Sequence, residues 1–223
     1  MKRKYGNSSG PPKKRKEESK LKELEKRVNR ISRSIESKVV DVESAGWFDI
    51  PYDDNTAAVQ SLAPIGQGTG DSGRVGAHVQ PTMLELNMSF LEDGTAGVPA
   101  LVRYTVIQCR GRYIPNIVLA TTAQAFFTTA DDEISPLSTF EWNNRRHYTV
   151  LKDECIPMNQ QGQDDRTITA TNLKLYPRRP IIYDDGSTDY ENGGIYVVFT
   201  SSRATAGNPP SVAFTSRLYY KDA

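Results

Sequence analysis

Residues 66–90, GQGTGDSGRVGAHVQPTMLELNMSF, join two kinds of chain. The first eight hold four glycines, Gly66, Gly68, Gly70 and Gly73, beside Asp71 and Ser72. Such a composition tolerates positive φ and tight reversal, so it predicts an irregular loop. From Val75 apolar and polar residues alternate, and Met83, Leu84, Leu86, Met88 and Phe90 keep a mostly period-two stripe. That pattern predicts a strand with one buried face. Pro81, near its start, suits an edge or a bulge because it has no N–H to give. A phosphate-binding reading of the glycines fails on order: a P-loop needs a helix after them and a closing Lys then Ser or Thr, whereas here Arg74 and a β pattern follow. Arg74 itself reads as a surface or inter-subunit charge.

Outward from this stretch, residues 39–223 show no helical period. Strand-like runs recur near Ser44–Ile50, Ala57–Ala63, Val75–Phe90, Leu101–Arg110, Arg146–Met158, Thr167–Tyr176, Ile195–Ser201 and Val212–Tyr220. Between them stand turn clusters such as EDGTAGVP, NQQGQDD, DDGSTDYENGG and TAGNPP. Eight antiparallel strands in one all-β body predict a two-sheet sandwich or jelly roll. The insertion from Tyr113 to Asn144 predicts a short helix or an extended surface loop.

Upstream the period changes. In residues 17–38, EESKLKELEKRVNRISRSIESK, the apolar residues Leu21, Leu24, Val28, Ile31 and Ile35 are spaced 3, 4, 3 and 4, one stripe of an amphipathic helix. Glu17 and Glu18 at its start and Lys38 at its end suit the helix dipole. A seam this short needs copies of itself, or the rest of the chain, to cover it. Residues 1–16, MKRKYGNSSGPPKKRK, lack the apolar side chains for a core and predict an arm that is disordered in isolation.

The formal net charge of +1 conceals a split. Residues 1–38 hold 14 Lys or Arg and five Glu, a net of +9, so residues 39–223 hold 14 basic and 22 acidic residues, a net of −8. A short basic arm on a mildly acidic body points to a nucleic-acid-binding tail. Lys2, Arg3, Lys4, Lys13, Lys14, Arg15 and Lys16 form two clusters that fit both phosphate binding and a bipartite nuclear localisation signal. Lys20, Lys22, Lys26, Arg27, Arg30 and Arg33 extend the phosphate-binding set along the helix. No apolar run approaches the roughly 20 residues that cross a bilayer, and the charged N-terminus lacks a signal peptide's apolar core. A reducing compartment is therefore expected, with Cys109 and Cys155 as two buried thiols rather than a disulfide.

The order of these pieces, a basic arm, a striped helix, QGTGDSGRVG at Gln67–Gly76 leading into a long strand, and later RRHYTVLKDECIPMN, resembles one family. It is similar to the jelly-roll capsid proteins of small circular single-stranded DNA viruses that encode a replication initiator (CRESS-DNA viruses), in particular those whose coats resemble that of satellite tobacco necrosis virus. The later motif is carried by His147, Tyr148, Val150, Leu151, Lys152 and Asp153. The doubled Arg145 and Arg146 and the acidic loop from Asp131 depart from the family's pattern. The resemblance implies a single eight-stranded antiparallel jelly roll over residues 39–223 that closes into a small icosahedral, T=1 shell. It also implies helices that bundle beneath the shell through the Leu21–Ile35 stripe, and a location in the virion and, during assembly, the host nucleus. The expected partners are about sixty copies of the chain itself, single-stranded nucleic acid, DNA in preference to RNA, and host nuclear import receptors. Sixty arms would bring roughly 540 positive charges inside, enough to neutralise about that many phosphates.

Other classes are disfavoured by the residues themselves. A cupin-type metal enzyme needs several His and a carboxylate, and the chain has only His78 and His147. No GxSxG, HExxH or CxxC motif is present, so neither catalysis nor a cofactor or metal is expected. The pairs Asp53–Asp54, Asp131–Asp132, Asp164–Asp165 and Asp184–Asp185 read as solvated turns before calcium ligands. A non-viral single-strand-binding module would carry its cations and aromatics in a groove on the folded surface, whereas here the basic excess is on the arm.

Overall fold

A computed structural model describes residues 20–24, 26–27, 37–50, 58–92, 100–110, 127, 135–141, 144–158, 167–202 and 209–222. The chain forms two units, Met1–Glu36 and Ser37–Ala223. In the first, the described residues are helical, as the 3,4 spacing predicts.

The second unit is all-β. Its strands are β1 (Lys38–Glu43), β2 (Phe48–Asp49), β3 (Ala58–Ser61), β4 (His78–Glu92), β5 (Ala100–Cys109), β6 (Tyr148–Met158), β7 (Thr167–Leu175), β8 (Ile181–Tyr183), β9 (Tyr190–Asn192), β10 (Ile195–Ser201) and β11 (Ser211–Asp222). A 3₁₀ turn, Arg145–His147, leads into β6. The strands make two antiparallel sheets. One runs β1-β11-β4-β8-β9, with β2 also on β11 and β7 also on β4; the other runs β3-β10-β5-β6. β1 and β2 divide one edge of β11, and β7 and β8 divide one edge of β4.

Among the eight longer pairing partners, β1 pairs β11, β4 pairs β7, β3 pairs β10 and β5 pairs β6. First joins last, second joins seventh, third joins sixth and fourth joins fifth, so the chain is a folded ribbon whose pairs fall alternately in the two sheets. The contacts β11·β4 and β10·β5 then close each sheet across the ribbon.

β4 shows why these residues form a strand. Leu84, Leu86, Met88 and Phe90 point inward and are buried, while Glu85, Asn87 and Ser89 point out. Met83 falls on the outward side, one residue off the stripe. Aromatic rings knit the sheets together: Phe90 stacks on Tyr104 at 6.1 Å, and Phe199 meets Phe90 edge-on at 6.1 Å and Phe48 at 5.9 Å. Offset and edge-to-face contacts of this kind add to the area that they bury. On the outward face of the first sheet, Asp41, Arg217, Glu85 and Lys174 are successive register partners across β1, β11, β4 and β7. This row of alternating sign is exposed, so it fixes register more than it adds stability.

The second sheet differs, because all seven residues of β10 are buried. Its outward face is covered in part by Phe127 and Phe140 of the long insertion, which pair with each other and stack at 5.4 Å. At these points the insertion packs onto the sheet instead of standing off as a surface loop.

The expected first strand, Ser44–Ile50, is displaced. The strand that pairs is Lys38–Glu43, and only Phe48–Asp49 of the expected run is extended in a sheet. Lys38, given to the end of the helix by its charge, starts this strand. It is held there by Asp222 Oδ2 at 2.9 Å and by the Gly73 carbonyl at 2.8 Å.

Candidate nucleic-acid interface

In the helical stretch, Lys20, Lys22, Lys26 and Arg27 are all exposed. Lys22 and Lys26, four residues apart, lie on one face, opposite the side that carries Leu21 and Leu24. Like charges at this spacing repel unless an anion lies between them. Leu21 and Leu24, the apolar side of the helix, are 61% and 58% exposed. Lys2, Arg3, Lys4, Lys13, Lys14, Arg15, Lys16, Arg30 and Arg33, with Val28, Ile31 and Ile35 of the stripe, lie outside the described residues.

Two arginines on the folded unit are buried anchors. Arg74 is fully buried, not a surface or inter-subunit charge. Its Nε donates to the Ile65 carbonyl at 3.2 Å, its Nη2 to the Asp184 and Ser187 carbonyls at 3.0 and 2.6 Å, and its Nη1 to the Gly76 carbonyl. The guanidinium also sits 4.6 Å from the centre of the Tyr183 ring. Five donors in a planar fork let one side chain gather carbonyls from the Gly-rich loop and from the turn after β8. The loop folds tightly around it: Gly68 N–H donates to the Arg74 carbonyl and Arg74 N–H to the Gly66 carbonyl, each at 3.0 Å. A Cβ on Gly73 would stand 2.9 Å from the Gly68 backbone, so only glycine fits that crossing. Gly73 therefore serves the loop's own packing, and a strand, not a helix, follows the loop.

Arg103 is the second anchor. It stands in β5 with 7% exposure and makes a two-pronged pair with Asp153 of β6, Nε to Oδ1 at 2.7 Å and Nη2 to Oδ2 at 2.8 Å. Its Nη1 donates to the Pro136 and Ser138 carbonyls, and its plane lies 4.6 and 4.9 Å from the Phe127 and Phe140 ring centres. One guanidinium thus ties the insertion to the second sheet. The missed signal was a lone Arg in an apolar run, LVRYTVIQC, diagonal to a lone Asp on the next strand.

Burial pushes the Asp153 carboxyl up, but hydrogen bonds from Arg103 and Thr105, with the Arg103 charge, outweigh it and hold it below the usual aspartate value. A depressed carboxylate contributes stability that is present above its unfolded pKa, about 4, and is lost as pH falls through the folded value. Asp153→Asn is expected to cost about 2 kcal/mol near neutrality. Its deficit should shrink as pH falls from about 4 toward 2 in calorimetric melts. A gap that stays constant with pH would refute this assignment.

His78 lies in β4 and His147 in the 3₁₀ turn before β6, and among the described residues no group of three or more His, Cys, Asp or Glu converges to hold a metal. Asp184 offers its carbonyl to Arg74, while Asp53–Asp54, Asp131–Asp132 and Asp164–Asp165 lie outside the described residues. Cys109 is a buried thiol, as expected, and burial pushes its pKa up; Cys155 is exposed, because on β6 it faces out beside Asp153. No helix among the described residues is long and apolar enough to cross a membrane.

No protein-family profile and no curated protein matches the chain. Among solved structures it is similar to dimeric latent PorU from Porphyromonas gingivalis, at 7% identity and a TM-score of 0.33 over 83% of this chain and 13% of that one. It is also similar to a chain of the T13 IBDV viral particle, at 11% identity and a TM-score of 0.26 over 84% of this chain and 36% of that one. The chain spans well under half the length of either, and at such scores the likeness carries no argument.

Proposed function

We propose that the chain is a capsid subunit that closes into a small icosahedral shell and packages single-stranded nucleic acid, DNA in preference to RNA, through residues 1–38. The observation that carries this reading is the joining of a net +9 segment to a net −8 body built as a two-sheet ribbon with its first strand against its last. The nested pairing, alternating between sheets, supports reading the sandwich as the eight-stranded jelly roll, with β2, β8 and β9 as short additions along its edges. Charge of one sign on the arm suits phosphate without regard to base, and opposite charge on the body keeps shells soluble and turns cargo away from the outer wall. The exposed Leu21–Leu24 side supports burial against other copies, and closed symmetry makes about sixty copies the simplest shell, T=1. The paired basic clusters support entry to the nucleus through import receptors, and with it the choice of DNA. The mechanism is assembly without covalent chemistry.

The test compares purified full-length protein with a form lacking residues 1–36, by electron microscopy and by the ratio of absorbance at 260 and 280 nm. The cut is placed before Lys38 because that residue anchors β1 and the Gly-rich loop. Uniform small particles are expected from the full chain, with nucleic acid inside them, and the truncated form is expected to lose nearly all of that absorbance excess. Protein that stays monomeric across salt and pH would overturn the reading.

A further inference from the structure

A groove of about 790 Å³ opens where β6 and β7, edge strands of opposite sheets, diverge. That is the volume of a small-molecule site. It is lined by the end of β5 (Gln108, Arg110), by Thr149–Leu151 of β6, and by Lys174–Tyr176, Arg178 and Arg179. Four of the lining residues are cations and none is an acid. Residues 39–223 hold only 14 basic residues against 22 acidic ones, so this gathering runs against the charge of the unit that bears it.

The cations are little compensated. Lys174 has a carboxylate, Glu85 at 3.1 Å, and among the described residues the Arg110 guanidinium donates only to the Thr149 hydroxyl. Arg178 and Arg179 are exposed, and their guanidiniums have no ion-pair partner among the described residues. Their backbone is nonetheless fixed. Buried Gln108 donates its Nε2 to the Arg179 carbonyl at 2.9 Å and accepts from the Arg179 N–H at 3.4 Å. Mutually repelling charges on a clamped backbone are arranged for an anion before it arrives, which lowers the ordering cost of binding. Beside them the Tyr176 ring is 65% exposed, and Val150, Leu151 and Leu175 supply an apolar floor. A carboxylate ligand would have no use for the ring. A nucleotide uses both parts, phosphate on the guanidiniums and base on the tyrosine face.

We infer that this groove binds a short segment of single-stranded nucleic acid, with Arg110, Arg178 and Arg179 on its phosphates and Tyr176 stacked on a base. The inference deepens the packaging reading and rests on it: the wall itself, and not the arm alone, holds cargo.

Full-length protein is bound to oligo(dT) carrying 4-thiothymidine, irradiated, digested and mapped by mass spectrometry, and binding is titrated against salt. Crosslinks are expected within residues 174–179 as well as in the arm. Tyr176→Ala should lose the groove crosslink and Tyr176→Phe should keep it. Arg178→Ala with Arg179→Ala, both exposed and so not expected to unfold the chain, should reduce the log–log salt slope by roughly 1.4, two contacts at about 0.7 each. Arm crosslinks with none in the groove, and an unchanged slope, would overturn the inference and leave the packaging reading standing; crosslinks nowhere would sink both. If the double variant loses self-association at an unchanged slope, the groove takes an acidic segment of another copy and the inference fails.

Discussion

Methionine in place of Arg74 is expected to lower stability by about 3–5 kcal/mol, the combined cost of several buried carbonyls left without a donor. The side chain has no exposed surface, and every hydrogen-bond acceptor assigned to its guanidinium is a backbone carbonyl. Methionine fills much of the volume but donates nothing, so carbonyls of Ile65, Gly76, Asp184 and Ser187 lose their donor, at about 1–3 kcal/mol for each that water cannot reach. The contact with the Tyr183 ring goes too. Against a total of about 5–15 kcal/mol for a domain, such a loss brings the chain near its folding threshold. Arg74→Lys keeps the charge but not the planar fork, and is expected to recover only part of the loss. Urea midpoints for the three proteins decide the matter. A methionine variant within about 1 kcal/mol of the parent would show that the four carbonyls find other donors. Should it fail to fold, an intermediate midpoint for the lysine variant still carries the prediction.

Gly193→Ala is expected to be as damaging for a different reason. Gly193 has φ +76° and sits in the turn between β9 and β10, and a Cβ there would lie 2.1 Å from the Pro180 carbonyl oxygen. Both parties are backbone, so no flexible side chain can give way. Either β10 or the start of β8 must move. Unfavourable φ contributes about 1 kcal/mol and the displaced packing several more, about 4 kcal/mol together. For a chain of this length that lowers the melting temperature by about 8–16 °C. A drop of under about 3 °C would mean that the turn shifts freely. The same glycine's carbonyl accepts from Gln108 Nε2 at 3.2 Å, and Gln108 is the clamp on Arg179. The substitution should therefore also reduce crosslinking in the groove, at temperatures where the protein remains folded.

How far the sequence could be read follows from how local each signal was. The stripe from Met83 to Phe90 is set by one strand's own pleat, and four of its five members point inward as expected. β1 could not be found that way. Its Lys38, Asp41 and Glu43 continue the charged composition of the preceding helix, and what makes KVVDVE a strand is β11, whose Arg217 meets Asp41 across 176 residues. β8 and β9 have three residues each, too few to show a period. Arg74 and Arg103 were visible as letters, but burial turns on partners that come from other segments. The groove was hidden by averaging. A net of −8 over residues 39–223 weighed against nucleic acid on the folded surface, while two separated segments bring Arg110, Lys174, Arg178 and Arg179 to one edge.

Pairing the first strand with the last also sets a timetable. At about 5–20 residues per second, synthesis takes roughly 9–35 s to pass from Asp41 to its partner Arg217. Until β11 leaves the ribosome, β1 and β4 lack the strand that lies between them, and non-local pairing of this kind is slow even afterwards. Residues 1–38, with their net +9, are synthesised ahead of the strands that pair with one another and need no partner to carry their charge. On the packaging role proposed above, capture of a polyanion by this segment would precede enclosure by the order of the chain alone.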